Sequence, residues 1–184
     1  MKLKDISKDI ETTYRLGENE QVVFLMENRD GEIIFELAGS GSAAHVFALY
    51  SGTEGNRFTP RIIQRHLAPD TVSSSTVRAR LDGSSSLRFR GLVEIDRGAT
   101  RSDARQDIRA LLLSPEANAS AVPELEIDMD DVTCSHAASI APPDAEQLAY
   151  LATRGISPDQ TIALIAEGFF KDTLEKIEIL RHMQ

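Results

Sequence analysis

Apolar and polar positions alternate over much of the first 140 residues. The clearest cases are Val77, Ala79 and Leu81, then Leu87 and Phe89, then Val93 and Ile95. A period of two places alternate side chains on one face of a strand. Upstream, "QVVFLMEN" (21–28) and "EIIFELAG" (32–39) are strand-like runs on either side of "NRDG" (28–31), a turn signal, and the pair predicts a hairpin. "AAHVFALYSG" (43–52) supplies another strand. Residues 1–20 are polar without a sustained period and fit either a helix or an irregular lead-in.

Beyond residue 40 the apolar segments are short, are broken by Ser, Gly, Thr and Asp, and recur at roughly 16–24 residues, the range of solenoid rungs. Residues 92–95, 111–113, 125–127 and 132–134 then read as successive rungs. No sustained helical period intervenes, which argues against βαβ units. A β-sandwich is the competing arrangement. Small residues at 73–75, 84–86, 117, 119 and 121 suit tight corners stacked in register, so the pattern favours a parallel β-solenoid.

The texture changes at Pro142-Pro143. In "PPDAEQLAYLATRGISPDQTIALIAEGFFKDTLEKIEILRHMQ" Asp144, ahead of Glu146 and Gln147, marks a helix start, and Leu148, Leu151 and Ala152 form a stripe. Gly155 sits where a helix ends in the left-handed conformation. Ser157, Pro158 and Gln160 then supply an N-cap, a first-turn proline and the far side of a capping box. Ile162, Ile165, Phe169, Leu174 and Ile177 form the apolar stripe of the second helix. In this reading Phe169 packs on the β body, and Phe170 is either plain intrachain core or an exposed aromatic beside Gly168 and Lys171, a combination suited to docking a partner. Gly168 costs the helix about 1 kcal/mol against Ala and is expected where another backbone comes close. The division is therefore a lead-in and first strand (1–30), a β body (31–141) and a helical hairpin (142–184).

Composition narrows the function classes. With 184 residues, 41% apolar and 27% charged, the chain can hold one ordinary domain with a small appendage. A net charge of −9 argues against nucleic acid as a partner. "RALLLS" and "TIALIAEGFF" are far shorter than the roughly 20 apolar residues that span a bilayer, so no membrane partner is expected. "MKLKDISKDIETTYRL" lacks the apolar stretch of a secretory signal. The single cysteine excludes an intrachain disulfide and fits a cytoplasmic setting.

That cysteine lies in "DVTCSHAAS" (131–139), two residues before His136. On one strand face, Cys134 and His136 could both reach one ion, or both could be packed core residues. Alternation would also align Glu124, Glu126, Asp128 and Asp130, either as oxygen ligands or as a solvated acidic edge. His45 and His66 look isolated, and His182 falls in a frayed terminus. No G-x-S-x-G and no P-loop motif occurs, so any ATPase must be another subunit.

Three blocks resemble the SufB/SufD family of SUF iron–sulfur cluster assembly scaffolds. They are "FRGLVEIDRGATRSDARQDIRALLLSPEANASAVPELEI" (89–127), "DDVTCSHAASIAPPDAEQLAYLATRGIS" (130–157) and "ALIAEGFFKDTLEKI" (163–177), with a weaker match through "RHLAPDTVSSS" (65–75). The resemblance implies a right-handed parallel β-helix followed by a small helical domain. It also implies a non-enzymatic scaffold that works with a SufC-like ABC ATPase, docked on residues 143–180 around Gly168, Phe169, Phe170 and Lys171. In D-type members the motif reads C-S-H-G-A-T, and its histidine, His136 here, lies at the interface between B-type and D-type subunits and is implicated in cluster assembly. Ala137 stands here where glycine is usual. B-type members carry an essential cysteine one rung earlier, where this chain has Ile108.

The expectation is thus a D-like scaffold subunit, paired with a SufB/SufD-like subunit or with itself. Cys134 and His136 would be ligands to an iron–sulfur cluster that is transient and shared with a partner, since one thiol and one imidazole cannot fill four positions. The alternative is a β-solenoid interaction module of the same fold that has lost the cluster chemistry. A small metal-dependent enzyme using the acidic segment is a more distant third.

Overall fold

The computed structural model describes the backbone of residues 1–182 and the side chains of residues 1–179. Two parallel sheets face each other. In the first, β1 (Lys2–Asp5), β3 (Gln21–Glu27), β5 (Ala43–Gly52), β8 (Val72–Leu81), β10 (Asp103–Leu112) and β12 (Thr133–Ala141) stack in that order. In the second, β2 (Thr13–Leu16), β4 (Glu32–Leu37), β7 (Arg61–His66), β9 (Ser86–Ile95) and β11 (Asn118–Ile127) stack likewise, with the short β6 (Arg57–Phe58) beside β9. The chain alternates between the sheets, so it winds as a flattened parallel β-solenoid.

The register fixes the length of a turn. Ala43, Val72, Asp103 and Thr133 are aligned, so the last three turns take 29, 31 and 30 residues. The segments expected as successive rungs, 92–95, 111–113, 125–127 and 132–134, fall alternately on the two sheets. They are half-turns, because two strands make each turn. The predicted hairpin is corrected by the same winding. β3 and β4 lie in different sheets and do not pair, and the turn between them, with Asn28 at φ 50° and Gly31 at φ 87°, is a corner. Residues 1–20 are neither helix nor irregular lead-in: they contain β1 and β2, paired to β3 and β4.

Inward side chains form columns along the solenoid. One runs Ala44, Ser73, Ala104, Cys134, and the next Val46, Ser75, Gln106, His136. Two more end in Ala138 and Ile140. At the N-terminal end the core is aromatic: Tyr14, Phe24 and Phe35 pack with ring centroids 4.7–5.6 Å apart. Further along it turns smaller and more polar, with Gln64, His66, Ser73, Ser75 and Gln106 all buried. Gln106 leaves no room opposite for a side chain: a Cβ at Gly91 would sit 2.7 Å from its Oε1.

The two helices follow as expected. Asp144 caps α1 (Ala145–Thr153), accepting from the Glu146 and Gln147 amides at 2.7 and 3.1 Å. Gly155 adopts φ 78°, and the amides of Gly155 and Ile156 bond the carbonyls of Ala152 and Leu151, which closes a Schellman motif. Ser157 and Gln160 form the capping box of α2 (Pro158–His182). The side chain of His182 lies outside the described residues.

The apolar face of α2 differs from the sequence reading. Its buried positions are Thr161, Ala166, Phe170, Thr173 and Ile177, whereas Leu174 is exposed. Phe170 and Ile177 pack on Val23, Leu25, Phe47 and Leu49 from the outer face of the first sheet, and the Arg80 guanidinium lies 5.0 Å from the Phe170 ring centroid. Of the two readings of Phe170, intrachain core holds and the exposed aromatic is corrected. The helix is rotated so that Phe170 is in the core and Phe169 is half-buried beside it. The sheet's outer face already carries an apolar strip, and Phe170 reaches it best. Among the described residues no helix is long and apolar enough to cross a membrane.

Candidate functional site

The open final turn of the solenoid

Every inward side chain of an inner turn is covered by the turn that follows. β12 and β11 end their sheets, so among the described residues nothing covers the inward side chains of the last turn. Leu125, Ile127 and Ile140 are 37–38% exposed there, although their neighbours Val93, Ile95 and Ala110 one turn back are buried. Cys134 and His136 belong to this uncovered layer. Their registered partners Ala104 and Gln106 are buried inward residues, so both side chains project into the same open end. Two residues along a strand separates them by about 6.6 Å at the backbone.

The two differ in environment. Cys134 is half-buried and packs with Val93, Ile95, Ala99, Ala104, Met129 and Val132. Burial is the main cause that pushes its thiol pKa up, and Asp103 adds to it, so at neutral pH the group is a protonated thiol. His136 is exposed. Among the described residues no three His, Cys, Asp or Glu side chains are grouped to hold a metal. The pair faces outward from the open end.

The expected acidic strand face is corrected by the position of the corner. β11 ends at Ile127, so Asp128, Asp130 and Asp131 lie in the turn to β12. Glu124 and Glu126 remain on the outer face of the second sheet, and Glu124 pairs with Arg90 at 3.1 Å. Ile108 is fully buried in the main core.

The comparisons with known proteins bear on this site. The family model for the SUF system FeS cluster assembly SufBD core domain matches residues 21–169. This chain belongs to the SufBD core family.

The match covers both sheets from β3 onward, the Cys134–His136 layer and α1. Curated relatives agree with it. The iron–sulfur cluster assembly protein SufD of Bacillus subtilis is 35% identical over 82% of this chain and 35% of its own length. A SufBD family iron–sulfur cluster assembly protein of Mycobacterium leprae is 29% identical over 89% of the chain and 45% of its own length. Another from Mycobacterium tuberculosis is 34% identical over 78% and 38%. This SufBD chain thus spans less than half the length of the relatives it matches.

The four helical residues expected at a docking site are not brought together. Gly168 and Phe169 line a cleft of ≈ 350 Å³ with Leu111, Pro143, Gln147 and Ile165. Phe170 faces the sheet beneath, and Lys171 is on the solvent side, 3.9 Å from Glu175. No backbone approaches Gly168: a Cβ there would meet nothing within 4 Å.

Sequence reading passed over His66, which is fully buried. Its Nδ1 lies 2.7 Å from Thr71 Oγ1 and its Nε2 2.8 Å from Ser73 Oγ. Burial depresses its pKa to about 4. The signal was present in "RHLAPDTVS": a histidine in the inward phase of a strand, with hydroxyls five and seven residues on.

Proposed function

We propose that this chain is a non-enzymatic scaffold subunit of SUF-type iron–sulfur cluster biogenesis that acts in the cytoplasm with a SufC-like ABC ATPase. The observation that carries the proposal is the uncovered last layer, where a thiol and an imidazole project side by side next to exposed Leu125, Ile127 and Ile140. An uncovered core layer favours a protein partner, because burial of apolar surface stabilises association. The nascent cluster is cargo on this surface. Cys134 and His136 fill two of its positions, and a SufB/SufD-like subunit seated on the same end fills the rest. The raised thiol pKa fits a transient role: the thiolate forms when cluster iron arrives, not before. The SufC-like ATPase docks on the helical region 143–180, where the cleft with Gly168 at its wall is open to a side chain of the partner.

Anaerobic reconstitution with iron and sulfide tests the proposal, with this chain and a B-type subunit combined. Visible cluster absorbance that depends on the complex and falls in both Cys134→Ala and His136→Ala is the expected result. A complex that forms without taking up a cluster overturns the cluster role and leaves the interaction-module reading. The absence of a third donor grouped with the pair among the described residues favours that second reading. ATPase docking is tested by co-purification with SufC: Gly168→Glu, which fills the cleft, releases the ATPase, and equal retention discards the assignment.

A further inference from the structure

The corner where β6 meets β9 and β11 leaves two arginines without a counterion. Arg57 on β6 registers with Ser86 on β9, and Asn118 on β11 registers with Ser86 from the other side. Phe58 and Leu87, the next pair, pack into the core, so Arg57, Ser86 and Arg88 stand on the outer face. Arg88 lies two residues beyond Ser86, which places it about 8 Å from Arg57 at the backbone. With Thr59, Ser84 and Asn118 these residues line a cleft of ≈ 460 Å³. Every other arginine on the strands of this sheet has a carboxylate: Arg15 and Arg65 bond Glu36, Arg61 bonds Glu32 and Arg90 bonds Glu124. Arg57 and Arg88 bond none among the described residues, and the Ser84, Ser86 and Asn118 side chains are likewise unengaged there. Asp30, beside Thr59, is occupied: it accepts from the Thr59 amide at 2.6 Å and from the Thr59 hydroxyl at 3.2 Å.

We propose that this cleft binds a phosphate group. Like charges side by side on a sheet repel, and a chain with 29 carboxylates leaves this pair unneutralised. An oxyanion between the two guanidiniums offsets that repulsion. The donors match phosphate better than carboxylate. One guanidinium fork satisfies both oxygens of a planar carboxylate. Here two guanidiniums, two hydroxyls and a side-chain amide converge from neighbouring strands, enough for the several acceptor oxygens of a tetrahedral anion. The volume lies in the range of small-molecule sites. The lining side chains are all polar, so a polar organic group can follow the phosphate in. Two cations do not make the basic track that a nucleic acid needs. The cleft stands apart from the Cys134–His136 layer. It lies on the outside of the second sheet and needs neither a cluster nor a partner subunit.

Amide NMR titration of the full chain near neutral pH, with ionic strength held constant by sodium chloride, tests the proposal. Inorganic phosphate should produce saturable shifts confined to residues 57–59, 84–88 and 118. Arg57→Gln and Arg88→Gln should each weaken binding at least tenfold. Arg97→Gln, which removes the same charge in the turn after β9, should leave it unchanged. Thermal melts establish that all three variants are folded. Acetate at the same ionic strength should give no such shifts. Glycerol 3-phosphate separates the two sources of the group: binding tighter than inorganic phosphate assigns a phosphorylated small molecule, and equal or weaker binding assigns the free ion. Three results would each overturn the proposal: shifts that never saturate or that spread to the other arginines, equal responses to phosphate and acetate, or an Arg88→Gln variant that titrates like the wild type.

Discussion

Buried His66 makes the stability of this protein depend on pH in a calculable way. Its ring has both nitrogens engaged: Gln64 Nε2 donates to Ser73 Oγ at 2.6 Å, Ser73 bonds His66 Nε2, and His66 Nδ1 faces Thr71, whose hydroxyl donates to the Ala68 carbonyl. A neutral ring satisfies these contacts with one nitrogen donating and the other accepting, and Thr71 Oγ1 also lies 2.8 Å from Ser102 Oγ. A second ring proton would place a full charge in this buried site, which desolvation opposes. The folded pKa is about 4, against 6.5 for the free side chain. Between these two values the unfolded chain binds a proton that the folded chain does not. Stability is therefore full above about pH 6.5, declines as pH falls, and loses nothing more from this residue below about pH 4. At 1.36 kcal/mol per pKa unit the total is about 3 kcal/mol. Urea unfolding followed by far-UV circular dichroism between pH 7.5 and 4, for wild type and His66→Gln, isolates the contribution as the difference in slope. Titration of the His66 ring by NMR gives an independent reading. A His66 pKa near 6.5 in the folded protein, or equal slopes in the two proteins, would refute the reasoning.

Other outcomes follow from packing. Phe170→Ala removes a buried ring shared by α2 and the first sheet and should destabilise by about 3–5 kcal/mol in denaturant titrations. Gly168→Ala, with open space around the new methyl group, should raise stability by about 1 kcal/mol. Gly91→Ala drives a methyl into the Gln106 amide and the Phe89 ring, and a loss of about 1–3 kcal/mol is expected by the same measurement. The protonated Cys134 thiol should be alkylated by iodoacetamide more slowly at pH 7 than a free cysteine, and the rate should climb with pH beyond the range where free cysteine levels off.

Much of the fold was legible because a solenoid writes its register into the chain. Alternation at 77–81, 87–89 and 93–95 marked true inward positions: Val77, Ala79, Leu81, Leu87, Phe89, Val93 and Ile95 are all buried. Helix punctuation was equally plain at Asp144, Gly155, Ser157 and Gln160, since caps act locally. Turn length was misjudged because an apolar segment carries no mark of which sheet it joins. The "NRDG" corner looks like a hairpin for the same reason: a turn signal fixes the backbone bend but not the next strand's partner. Phe170 stays open between core and surface in the sequence because a helix stripe with drift fits two phases, and the outer face of the first sheet decides between them. Cys134 and His136 were legible as neighbours on one face. That the face lies on an uncovered layer depended on β11 and β12 ending both sheets, which is a property of the whole winding.

The claim that this last layer is a mating surface is tested most directly by amide hydrogen exchange with and without a B-type SUF subunit. The account predicts that residues 118–141 exchange quickly in the isolated chain and become protected in the complex, while β3 and β5 keep the same protection in both. Unchanged exchange at β11 and β12, with new protection confined elsewhere, would contradict it.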